Sequence, residues 1–286
     1  MSCSRAVTRR IASVSVLEGG GFPVRRPFPT AQLREVDPFL LLDHMGPVDW
    51  PPGEAIGAPD HPHRGFETVT YLLQGSMQHR DSFGHQGKLG PGDVQWMTAG
   101  SGIVHSELPE AEFKKAGGVL EGFQLWVNLP AADKMKSPHY QEIPKAEIPE
   151  VLEPQALIRV IAGEVAGQAG AVQTHSPVTY LHVVVQPQGK TSVPVPVEYP
   201  LYGYVSSGQG KIGDQGWDGE LGDFFFFGLG ETLELQAGEE PLSILLLGAE
   251  PLNEPIARHG PFVMNTQSEL VQAFEDFQTG KMGVIS

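Results

Sequence analysis

His61-Pro62-His63 sets two imidazoles two residues apart, and His105-Ser106-Glu107 sets an imidazole and a carboxylate at the same spacing. Alternate side chains share a face on an extended chain, so each pair presents its donors to one side. Glu67 has the same parity as His61 and His63 and prolongs that row. Pro62 removes a backbone donor, which places its segment at a strand entry or a sheet edge. A β fold that joins the two pairs gathers three imidazoles and a carboxylate. Imidazole suits Fe, Zn, Cu, Ni and Mn centres, and the hard carboxylate tilts the choice toward Fe or Mn. His-x-His alone is a weak signal. His-x-His, then the turn Gly90-Pro91-Gly92-Asp93, then His-x-Glu, in that order, is far more specific.

The elements that must position these residues read as strands. Gly (35) and Pro (25) recur between short runs such as "TVTYLLQ", "DVQWMTA", "FQLWVNL", "YLHVVVQ" and "LSILLLG". Short β-branched and aromatic runs divided by turn residues are the mark of a barrel or sandwich. One segment reads as a helix. In "NTQSELVQAFEDFQTGKMG" Thr266 and Glu269 form a capping box, Leu270, Phe274 and Phe277 follow on one face, and Gly280 stops the helix. The net charge of −15 repels phosphate backbones, which argues against direct nucleic-acid binding. No run approaches the roughly 20 apolar residues of a membrane span. Cys3 is the only cysteine, so no internal disulfide forms, and a reducing cytoplasm is the expected location.

The two halves carry a weak repeat. "TYLLQG" and "LGPGDVQWM" in the first correspond to "GYVSSGQG" and "LGDFFFFG" in the second. On that alignment Val193-Pro194-Val195 replaces His61-Pro62-His63, so the second half is expected to lack a metal. The Pro- and Glu-rich stretch 141–155 reads as a linker. The expected organisation is a metal-binding unit at 1–140, the linker, and a metal-free unit with the helix at 156–286.

"HPHRGFETVTYLLQG", "HRDSFGHQGKLGPGDVQWMTAGSGIVHSE" and "FQLWVNLP" resemble the N-terminal domain of the pirin family, in the cupin superfamily. "PLNEPIARHGPFVMNTQSELVQAFEDFQTGKMG" resembles the C-terminal pirin domain. The resemblance spans roughly 25–286. It implies an all-β bicupin of two tandem cupin β-barrels with a short C-terminal α-helix. It also implies one metal in the first barrel, Fe2+ before other divalent transition metals. The implied ligands are His61, His63, His105 and Glu107. Many other cupins take their glutamate from the first motif, which makes Glu67 a further ligand or a support for one.

The activity implied by the resemblance is that of a quercetin 2,3-dioxygenase, which opens a flavonol ring with O2, Glu107 serving as base. The alternative is an iron-binding regulator that acts through contact with a transcription factor or a metabolic enzyme. Arg64, Phe66, Trp96 and Met97 lie near the ligands in sequence and are the expected substrate-pocket residues.

Overall fold

The computed structural model describes residues 3–285. It is built almost entirely of antiparallel strands, with two α-helices among the described residues, α1 (Ala111–Ala116) and α2 (Gln267–Gln278). No helix among them is long and apolar enough to cross a membrane. Contacts group the chain into two units, one of residues 15–145 with 252–286, the other of residues 1–14 with 146–251. The chain thus passes from one unit to the other three times, whereas the boundaries read from sequence follow chain order.

The unit of residues 15–145 and 252–286 holds a seven-stranded sheet. Its order is His139–Ile143, Val94–Thr98, Phe66–Gln74, Gly118–Asn128, Phe39–Trp50, Phe22–Phe28 and Val14–Glu18. A four-stranded sheet follows the order Ala58–His63, Ile103–Pro109, Met77–Asp81 and Gln86–Leu89. Phe22, Val24, Leu72 and Leu120 of the larger sheet join Met77 and Leu89 of the smaller in one buried cluster. Burying such side chains contributes about 1.5–3 kcal/mol each.

The other unit repeats the plan with a seven-stranded and a four-stranded sheet. The turn that marks the repeat keeps its geometry. Gly92 and Gly222 take φ of 94° and 92°, and Asp93 and Asp223 each accept a backbone N–H three residues back, from Gly90 at 2.7 Å and Glu220 at 3.1 Å. His61 stands opposite His105 in the first unit, and Val193 stands opposite Leu233 in the second. Val193, Val195, Leu233 and Leu235 all belong to the buried apolar cluster there.

Three expectations need correction. The stretch 141–155 is mostly not a loose linker, because His139–Ile143 pairs with Val94–Thr98 and Glu150–Glu153 pairs with Ala156–Ala162. Pro144 and Pro149 lie between these two edge strands and Pro154 in the turn before Ala156–Ala162, so no ladder hydrogen bond is lost. Helix α1 was not foreseen; Glu110 caps it by accepting the N–H groups of Glu112 and Phe113. The capping box of α2 forms as read, but its buried face carries Leu270, Ala273 and Asp276, while Phe277 is exposed. An acidic residue occupies that face because Arg64 meets it there.

Candidate metal centre

The strands Ala58–His63 and Ile103–Pro109 bring the three histidines together. They pair antiparallel with His61 opposite His105 and Ile103 opposite His63. The period of two therefore turns all three imidazoles to one side. Ring centroids are 4.7 Å apart for His61–His63, 4.4 Å for His61–His105 and 5.0 Å for His63–His105. One ring nitrogen from each lies within 4.8 Å of the others.

His105 is fully buried, and neither of its ring nitrogens has a hydrogen-bond partner. Nδ1 of buried His63 has none either. Each orphaned buried polar group costs roughly 1–3 kcal/mol, a cost that a bound cation removes. Nδ1 of His61 donates to the Pro59 carbonyl at 2.7 Å, which leaves Nε2 as the lone-pair nitrogen and fixes the ring, as supports of metal-bound histidine do. Burial holds His63 and His105 well below the usual histidine range, and neighbouring imidazoles add to the effect. Neutral rings keep the lone pairs a metal needs. This donor set fits a divalent transition metal.

Glu107 lies outside the group of three histidines, and the register with Ala58–His63 shifts between His105 and Glu107. Its carboxylate accepts from the Thr70 hydroxyl at 2.7 Å and from Gln124 Nε2 at 3.1 Å. It lines the same cavity as His61 and His63, a hollow of about 710 Å³. Glu67 is elsewhere. Gly65, at φ 87°, ends the His61 strand's run before the next strand begins at Phe66, in the other sheet. Parity does not carry across that turn. Glu67 pairs with Val127 and Thr98, on the face opposite Thr70 and Gln124, and accepts from Thr98 at 2.7 Å.

The four expected pocket residues do not line the cavity. Arg64 is buried, donating to the Ser101 carbonyl at 2.7 Å and to Asp276 at 2.9 Å. Phe66 packs behind the site, its ring 5.1 Å from His63. Trp96 is buried on the same face of the sheet as Glu67, and Met97 packs with Ala99 and Ile103. Nearness in sequence misled here because Arg64 and Phe66 flank the turn at Gly65, while Trp96 and Met97 lie on Val94–Thr98, which carries none of the three histidines.

The cavity wall comes from residues that sequence reading passed over: Arg26, Asp43, Met77, Gln124, Trp126 and Arg258. Gln124 and Trp126 alternate in "FQLWVNL", and that period was the available signal. Arg26 pairs with Asp43 through Nε at 2.7 Å, and the Arg258 guanidinium lies 4.8 Å from the Trp126 ring centre. Arg258 and Pro261 come from the C-terminal segment, which is fastened near the histidines. Fully buried Lys134 donates to the Gly65 carbonyl at 2.7 Å, Asn128 Oδ1 at 2.6 Å and the Val263 carbonyl at 3.1 Å. Gly65 admits no side chain, since a Cβ there would stand 2.0 Å from the Val263 oxygen.

Two sandwich-like units on one plan, one with clustered histidines, define a protein of the cupin class. Residues 21–127 match the family pattern described as Pirin, and 180–283 match the Pirin C-terminal cupin domain. The chain belongs to the pirin family. It is 41% identical to human Pirin over 287 residues, which cover 99% of this chain and 96% of that one. It is also 41% identical to a tomato (Solanum lycopersicum) Pirin-like protein over 281 residues, or 98% and 93% of the two chains. The crystal structure of quercetin 2,3-dioxygenase from Acinetobacter baumannii superposes with a TM-score of 0.92 at 39% identity, covering 99% of both chains.

Proposed function

We propose that the chain is an iron-dependent dioxygenase that opens the ring of a quercetin-type flavonol. His61, His63 and His105 hold the metal, with Glu107 beside them as base and as a further ligand when it swings inward. The observation that carries this reading is the set of orphaned, neutral imidazole nitrogens beside a cavity that also holds a carboxylate. The likeness to the Acinetobacter enzyme supports the choice of substrate. The metal would supply a Lewis-acid centre at which a flavonol hydroxyl becomes more acidic and O2 chemistry is possible.

The chain's own residues then manage the proton and the substrate. Thr70 has one hydroxyl proton and two acceptors at 2.7 Å, Glu107 Oε1 and Gln124 Oε1. When Glu107 takes the substrate proton at Oε1, it donates to Thr70, and the Thr70 proton turns to Gln124. All three oxygens are then satisfied, so the site is built to hold that proton. Trp126 and Met77 offer apolar wall to a flat ring, and the cavity is large enough for a small aromatic ligand.

The test is O2 uptake and flavonol loss with metal-loaded protein. Glu107→Gln keeps the hydrogen-bonding shape but cannot take the proton, so turnover should fall by about 10²–10⁴-fold. Wild-type rates no faster than free iron in buffer, across several flavonols, would reject the enzyme. The reading as a metal-dependent regulator acting by protein contact would then take its place.

A further inference from the structure

A second cluster of metal-type donors lies in the same unit, outside the three-histidine centre. His79, His85 and Glu142 each offer a ligand atom, and these atoms lie within 4.8 Å of one another. His79 sits on the strand Met77–Asp81, His85 in the turn before Gln86–Leu89, and Glu142 on the edge strand His139–Ile143. Nothing in the reaction proposed above uses them.

We infer that His79, His85 and Glu142 form a second site for a borderline divalent cation, Zn2+ being the natural probe. Two imidazoles and one carboxylate, with a position left for water, make a usual open zinc donor set. Metal–ligand bonds of about 2.0–2.2 Å in a tetrahedron set ligand atoms roughly 3.4 Å apart. His85 Nε2 is 3.5 Å from Glu142 Oε1. His79 Nε2 makes a short hydrogen bond to the same oxygen, so a move of less than about 1 Å opens that edge to the same spacing.

Two further observations point to a ligand. His85 Nε2 is shielded from solvent with no hydrogen-bond partner, and His79, whose Nε2 faces the same carboxylate, is fully buried. A shielded ring nitrogen left without a partner beside a carboxylate is accounted for by a bound cation. Gly87, opposite His79 in the hairpin, also keeps the space clear: a Cβ there would stand 2.2 Å from Glu142 Oε1 and 2.4 Å from His79 Nε2. Tyr140 closes one side, its ring centre 5.3 Å from His79 and 4.6 Å from His85.

An ion here would clamp the 77–89 hairpin of the four-stranded sheet to the edge strand of the seven-stranded one. It would also brace the strand that carries His105 and Glu107, because His79 lies directly opposite Glu107. The test is equilibrium dialysis of the full chain against Zn2+, followed by elemental analysis, for wild type, His85→Ala and Glu142→Gln. Both altered side chains are about 40% exposed, so the fold tolerates the changes. Wild type should carry about one zinc more per chain than either variant. Amide exchange over 78–88 and 139–143 should slow with zinc in wild type alone. Equal zinc content in all three proteins, at whatever level, would overturn the inference.

Discussion

His105 shows what the site demands of one residue. A fully buried imidazole with two orphaned nitrogens destabilises the metal-free chain. His105→Leu should therefore abolish metal binding at this centre while leaving the metal-free protein as stable as wild type, or more so by about 1–2 kcal/mol. Elemental analysis and urea unfolding of the metal-free proteins check both halves. A variant that keeps its full metal content would remove His105 from the ligand set. The His-x-His and His-x-Glu pairs were legible because each lies within a single strand, where a period of two holds. Glu67 was misplaced because the same period was carried through Gly65, whose left-handed backbone resets the facing.

At the level of elements, α2 is joined to the site's edge by one ion pair. Arg64, directly after His63, meets Asp276 at 2.9 Å, and the two side chains are only 5% and 11% exposed. Lys281 above all, then Arg64 and Gln272, hold the Asp276 carboxyl down at about 2, against the opposing effect of burial. Asp276→Asn removes the charge that compensates Arg64 and should cost about 3 kcal/mol. The folded-state value lies below the unfolded one, so the contribution is complete above about pH 4 and is lost as pH falls through 2. The stability gap between wild type and Asp276→Asn should narrow over that interval in acid-titrated urea melts. A gap unchanged with pH would mean that packing, not charge, holds the helix. The helix was legible from its capping box, but the partner of Asp276 lies 212 residues away, and no local pattern announces it.

The whole molecule has its ends crossed. The first described residues complete the later unit: Val7–Ala12 forms an edge of its seven-stranded sheet against Asp223–Phe227. Fully buried Arg5 donates to the carbonyls of Gly228 at 2.8 Å, Gly230 at 3.0 Å, Tyr199 at 3.0 Å and Pro196. Arg5→Met leaves those acceptors without their donor and should cost roughly 3 kcal/mol, read as a shift in the urea midpoint. A change below about 0.5 kcal/mol would show that the segment is dispensable. The repeat was legible in the Gly-Asp turns, since both copies need the same left-handed glycine. The exchange of ends was not, because strand pairing over more than 200 residues leaves no trace in composition or periodicity.

That crossing sets a schedule for biosynthesis. A ribosome working at 5–20 residues per second needs roughly 10–40 s between releasing Val7–Ala12 and releasing the strand it pairs with. The histidine-bearing unit waits as well, since Phe262 and Val263, which share buried clusters with Val104 and Phe66, are made long after them. Neither unit can close before its later segment has been made. Until then the nascent chain presents unpaired strand edges and apolar faces, and its yield in a cell should depend on chaperone capacity more than its finished stability would suggest.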